Sequence, residues 1–191
     1  LAAMAADDYP ALPSMPGVAG TVDAHDLAQA VAQVVIAASR DETLPLLTSV
    51  QMQVEGERLT LMATDRYRLA VREMTWSPQD AGLTTHALLK ARTLSDVAKS
   101  LTSTGDVTVA LTEAGASSSG LIGFEAGGRR TTSLLTDGDY PPVLRLFPEE
   151  TTIHAAVGRE ELMAAVRRVS LVADRSTPIH MSFTEDGLAL D

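Results

Sequence analysis

The side chains best suited to proton transfer or metal ligation near neutral pH are His25, His86, His154 and His180, and they are scattered along the chain. His25 falls at a helix start, His86 and His180 in strands, and His154 beside Thr152 and Ile153, so surface or packing roles are the better reading. Asp137-Gly138-Asp139 resembles the opening of a calcium loop, but Tyr140-Pro141-Pro142 breaks the ligand spacing such a loop needs. Gly120, Gly123, Gly127 and Gly128 precede strands rather than a helix, so they form no phosphate cradle. Ser117-Ser118-Ser119 has no strand-to-helix elbow to make a nucleophile of it. Cysteine is absent, which excludes disulfides and thiolate zinc sites. The expectation is a protein with no catalytic residues, no metal site and no cofactor.

Charge and apolar surface are the chemistry that remains. A formal net charge of −10 argues against a protein that grips nucleic acid over its whole surface, but allows a local basic face. No apolar run of about 18 residues is present, which argues against a membrane helix. Leu1 to Pro10 has no basic residue and carries Asp7 and Asp8, unlike a secretory signal. A cytoplasmic location without a membrane partner is expected. Asparagine is missing, Lys90 and Lys99 are the only lysines, and Ala and Arg abound, a bias typical of GC-rich coding sequence.

The elements that position these residues are repeated. Val22, Leu27, Ala30, Val31, Val34, Ala38 and Arg40 recur 135 residues later as Val157, Leu162, Ala165, Val166, Val169, Ala173 and Arg175. Each segment reads as an amphipathic helix and is followed by a strand-like phrase, EGERLTL at 55–61 and EDGLAL at 185–190. Asp8-Tyr9-Pro10 recurs as Asp139-Tyr140-Pro141, an offset of 131. The unit is thus about 131–135 residues long, and the chain reads as cut at both ends: 1–17 the tail of one unit, 18–150 a complete one, 151–191 the start of a third. Within the complete unit, Asp23 caps a helix that runs to about Ser39. Alternation then predicts three strands and a polar loop over Ser77 to Gly82. A strand near 85–89 leads into a helix from Lys90 to about Leu101, and three more strands follow at 106–111, 120–125 and 129–135. Strand, helix and three strands, performed twice, give an α+β architecture of antiparallel sheets with both helices on one side.

Leu59 to Val71, LTLMATDRYRLAV, resembles the L-x-x-x-A-T-D-x-x-R-L-A-V strand pair of the bacterial beta sliding clamps, the beta subunits of DNA polymerase III. Pro45-Leu46-Leu47-Thr48-Ser49-Val50, the DYP phrases and GREELMAAVRRVSLVADR support the resemblance, which covers essentially the whole chain. It implies a DNA-clamp fold and three tandem domains in a head-to-tail homodimeric ring, with helices lining a hole for double-stranded DNA. It also implies a non-catalytic processivity factor. Arg40, Arg92, Lys99, Arg168 and Arg175 are the implied DNA-facing residues. The resemblance further implies a pocket for short linear peptides of the polymerase III catalytic subunit, the clamp loader and repair polymerases. Its residues here would be Leu47, Thr64, Arg66, Arg68, Leu69, Pro142 and Val143. Arg66 and Tyr67 depart from the small or neutral residues common in the family, which implies a bulkier rim. A stand-alone peptide-interaction module derived from a clamp domain is the alternative. The parent reading frame discriminates the two, through further copies of the repeat.

Overall fold

The computed structural model describes residues 13–101, 105–112, 120–148, 150–174 and 178–191. Asp8-Tyr9-Pro10, Ser117-Ser118-Ser119 and Arg175 lie outside the described residues. The chain divides into two compact units, Leu1–Arg145 and Leu146–Asp191.

In the first unit, β1 (Val18–Asp23) leads directly into α1 (Ala24–Val34). The Asp23 carboxylate accepts from the amides of His25 and Asp26, satisfying two of the donors that open a helix. The helix is shorter than expected. It ends at Val34 and passes through one 3-10 turn, Val35–Ala37, before Ala38 is extended. The β-branched run Val34-Val35-Ile36 weakens the helix there, and the Ser39 amide is taken up by the Leu47 carbonyl at 2.8 Å.

Three strands follow as a meander, β2 (Ser49–Glu55), β3 (Arg58–Thr64) and β4 (Leu69–Thr75). The expected polar loop after Ser77 contains a two-residue strand, β5 (Ser77–Pro78), laid against Gly20 and Thr21 of β1. A side chain at Gly20 would put its Cβ 2.5 Å from the Ser77 carbonyl oxygen and 2.6 Å from the Trp76 ring, so only glycine permits this approach. The second half repeats the pattern with β6 (Thr84–Lys90), α2 (Ala91–Leu101), β7 (Asp106–Leu111), β8 (Leu121–Ala126) and β9 (Arg129–Leu134). Lys90 is the last residue of β6, paired with Ser49, rather than the first of the helix.

The two halves exchange their first strands. One antiparallel sheet has the order β5-β1-β7-β8-β9 and the other β4-β3-β2-β6, so each sheet holds the leading strand of the opposite half. One core joins both halves: Leu27, Val31 and Val34 of α1 and Leu94, Val97 and Leu101 of α2 pack among Val22, Val109, Ile122 and Phe124 of one sheet and Val50, Met52, Leu59 and Leu61 of the other. The helices must therefore fold with both sheets, and what lies on their outer faces is fixed by that packing.

The second unit contains α3 (Arg159–Ser170) and the hairpin β10 (Met181–Thr184) and β11 (Gly187–Leu190). Its helix carries the same apolar stripe as α1, but Leu162, Ala165, Val166 and Val169 are only half-buried where Leu27, Ala30, Val31 and Val34 are buried.

Candidate functional site: an apolar surface at a hairpin tip and a cationic helix face

β3 and β4 end in a register that pairs Thr64 with Leu69, leaving Asp65 to Arg68 as the tip. The tip is closed by its own side chains. Asp65 Oδ1 accepts from the amides of Tyr67 (3.1 Å) and Arg68 (3.0 Å), and Oδ2 accepts from Arg68 Nε at 3.0 Å. Thr64 Oγ1 donates to the Arg68 carbonyl at 2.7 Å and accepts from the Arg66 amide at 3.1 Å. Arg66 consequently sits at φ +82°, a left-handed conformation that costs a side-chain-bearing residue roughly 1–2 kcal/mol. The Arg68–Asp65 ion pair is largely exposed on the Arg side, so it shapes the tip more than it stabilises the unit.

Asp65 titrates accordingly. Burial pushes its pKa up, but the amide hydrogen bonds of Arg68 and Tyr67, and then the Arg68 side chain, outweigh this and hold it below the ordinary carboxylate value. A depressed folded-state pKa means the stabilisation is complete above the unfolded-state value and is lost as pH falls through the folded one. The tip should therefore keep its turn through the ordinary Asp range and open only in stronger acid, which an acid titration of the Tyr67 and Arg68 amide resonances will follow. Loss of the turn at or above the ordinary value would contradict this hydrogen bonding.

Strand alternation puts a second apolar cluster on the face of the four-stranded sheet that points away from the helices. Leu59, Leu61, Ala63 and Leu89 face the main core, whereas Met62 of β3 and Leu88 of β6 pack with Tyr140 and Val143, and Leu46, Leu69 and Val71 lie half-buried against them. The segment that carries Tyr140 is tied down along its length. The Thr136 amide donates to the Leu88 carbonyl at 2.8 Å, and the Thr136 and Ser49 hydroxyls are 3.1 Å apart. The Tyr140 hydroxyl accepts from the Thr64 amide at 2.9 Å, and burial raises its pKa. Tyr140→Phe would leave the buried Thr64 amide unpaired, a cost of about 1–3 kcal/mol. Urea unfolding should show a lower midpoint at an unchanged slope; an unchanged midpoint would mean that water or another acceptor replaces the hydroxyl.

Of the residues singled out from sequence, Thr64, Arg66, Arg68, Leu69, Pro142 and Val143 come from these two adjoining segments. They differ in what they offer a ligand. Val143 is 4% exposed and supports the surface from behind, Pro142 and the two arginines are exposed, and Leu69 is half-buried. Leu47 is buried and belongs to neither apolar cluster; its neighbour Leu46 is the leucine that reaches this one. Sequence reasoning missed Leu46, Met62, Val71, Leu88 and Tyr140. The repeated DYP phrase was the signal for Tyr140, and the period-2 run from Leu69 to Val71 the signal for Val71.

The cationic residues lie on the helix side. Arg40 and Arg92 line one cleft with Lys90, Ser39 and Thr93, which Glu42 also borders. Lys99 stands seven residues, about two turns, beyond Arg92, so the two share a face of α2, and both are exposed. Lys90 was not anticipated as part of this tract. Arg129 donates to the Ser100 carbonyl at 3.2 Å, near the end of α2. In the second unit, Arg168 is exposed and borders a groove with Leu162, Ala165, Leu188 and Leu190. Among the described residues no group of three His, Asp or Glu side chains could hold a metal ion.

Two antiparallel sheets that share one core with two helices form the domain architecture of the DNA polymerase sliding clamps. The Bacillus subtilis DNA polymerase sliding clamp superposes with a TM-score of 0.83 at 26% identity, over 98% of this chain and 52% of that one. The Pseudomonas aeruginosa clamp bound to griselimycin superposes at 0.80, and at 20% identity it shows the fold alone. The models of the central domain and of the C-terminal domain of the DNA polymerase III beta subunit match residues 21–142 and 144–191. The chain belongs to the bacterial beta sliding clamp family. It is 52% identical to the beta sliding clamp of Micrococcus luteus over 191 residues and 49% identical to that of Streptomyces coelicolor over 185. A beta sliding clamp homolog, GriR of Streptomyces muensis, is 42% identical. The chain spans 60%, 49% and 50% of the lengths of these three relatives.

Proposed function

We propose that this chain is part of a DNA sliding clamp, a processivity factor without catalytic residues of its own that tethers a replicative polymerase to DNA. The observation that carries the reading is the division of labour across one sheet of the first unit. The helix side bears Arg40, Lys90, Arg92 and Lys99, while the far side bears the half-buried Leu46, Leu69 and Val71 beside a rigid hairpin tip. Sliding requires attraction to phosphates without base readout, and a few exposed cations on α2 and beside the helices provide that in a chain that is otherwise strongly acidic.

In this reading residues 18–150 are the complete middle domain, 1–17 end the first and 151–191 open the third. The assembled protein is a cytoplasmic homodimeric ring around double-stranded DNA. Arg40, Arg92, Lys99, Arg168 and Arg175 face that DNA. Polymerase III catalytic subunit, clamp loader and repair polymerases dock short peptides on a surface to which Leu47, Thr64, Arg66, Arg68, Leu69, Pro142 and Val143 belong, Leu47 and Val143 as its buried support. The geometry favours adding Leu46 and Val71 to that surface. No described helix is long and apolar enough to cross a membrane.

The test is anisotropy of a labelled DNA duplex against the chain at several salt concentrations. Binding should be weak, in the non-specific range of about 10⁻⁴–10⁻⁶ M, and steeply salt-dependent. Arg92→Ala should reduce the salt slope by about one. Sequence-dependent binding would contradict attraction without base readout, and a slope indifferent to Arg40 and Arg92 would remove DNA from this face.

A further inference from the structure

We propose that Arg66 makes the hairpin-tip surface selective for peptides that carry a carboxylate beside the apolar side chain they dock, and against peptides that carry a cation there. The inference rests on the peptide-docking reading and names the ligand chemistry that reading leaves open. Among the described residues Arg66 alone, of those with a side chain, has a positive φ. Glycine would hold this backbone without strain, so the turn itself gains nothing from arginine there.

The charge is also uncommitted. Arg68 spends its guanidinium on Asp65, whereas none of the ion pairs among the described residues involves Arg66, which is exposed. Asp41 feels it, but its Oδ1 already accepts from the Thr43 hydroxyl at 2.6 Å and the Thr43 amide at 3.0 Å, and these lower its pKa more than Arg66 does. Because Asp65 and Thr64 fix the tip, Arg66 presents its planar fork from a backbone that loses little further freedom on binding. A carboxylate accepts two parallel bonds from such a fork. The chain's net charge of −10 otherwise disfavours acidic ligands, so a local cation decides the sign at this edge.

The experiment titrates the 191-residue chain with labelled peptides of the glutamine–x–x–leucine–phenylalanine type, with Glu, Gln or Lys placed in turn at each non-anchor position. At one position or more, Glu should be preferred over Lys by on the order of fivefold in low salt, with the ratio falling toward one as salt rises. Arg66→Gly should collapse that ratio, and Arg66→Lys, which keeps the charge but not the fork, should retain only part of it. A ratio near one at every position, or one that Arg66→Gly leaves standing, overturns the proposal while a bound Gln peptide leaves the docking reading intact. If no peptide binds, the docking reading fails and the selectivity falls with it.

Discussion

Phe124→Ala is expected to cost about 3–5 kcal/mol, a large share of the roughly 5–15 kcal/mol by which a domain of this size is stable. Phe124 is 1% exposed and is the largest of the fully buried side chains among the described residues. It projects from β8 into the core where both helices and both sheets meet, so the ring leaves a cavity that no single element can close. Arg92 and Lys99 are held on the outer face of α2 by that same packing, and the variant should lose their alignment along with its stability. Phe183 of β10 supplies the internal contrast. It is 56% exposed, and Phe183→Ala should change stability by no more than about 0.5 kcal/mol. Denaturant unfolding of the two variants will measure the difference, and equal midpoints would mean that the shared core is not what holds the first unit together.

The second large effect concerns the docking surface. A leucine or phenylalanine of a peptide buried against Leu46, Leu69 and Val71 gains about 1.5–3 kcal/mol from the apolar area removed from water. Leu69→Ala removes part of that wall and should weaken a glutamine–x–x–leucine–phenylalanine peptide by roughly tenfold, about 1.4 kcal/mol. Leu46→Ala should act in the same direction. Leu47→Ala should also cost more affinity than Lys99→Ala, but by withdrawing support rather than contact, since Leu47 is buried and outside the cluster. Lys99→Ala lies on the helix side and should leave the peptide's affinity within experimental error. The reverse order, with Lys99→Ala losing more than Leu69→Ala, would put the peptide on the wrong side of the sheet.

How much of this could be read from the residues depended on how far each feature depends on distant parts of the chain. Alternation and the 135-residue echo marked the helices, the hairpins and the repeat, because each is a local pattern of apolar spacing. The exchange of β1 and β6 between sheets left no such mark: a strand's periodicity reports which of its faces is buried, not which strand lies beside it. The end of α1 was misjudged because the apolar stripe continues to Ala38 while the β-branched run has already loosened the helix. At the site, the ATDRYRL motif marks Thr64, Arg66, Arg68 and Leu69. Leu46 and Leu47 are adjacent in an irregular segment without periodicity, so nothing local distinguishes the one that reaches the surface cluster. Tyr140 meets Thr64 across 76 residues, a contact that only the folded chain creates. The strain at Arg66 was invisible for a different reason: a left-handed turn position is usually announced by glycine, and here it is not.

Amide NMR of the isotopically labelled chain, titrated separately with a DNA duplex and with a glutamine–x–x–leucine–phenylalanine peptide, tests the two-sided arrangement most directly. The duplex should shift resonances around Arg40, Arg92 and Lys99, more at low salt than at high. The peptide should shift Thr64 to Leu69, Leu46 and Val71, and each ligand should leave the other's set in place. Perturbation of one common set by both ligands, or peptide shifts confined to α1 and α2, would contradict the account.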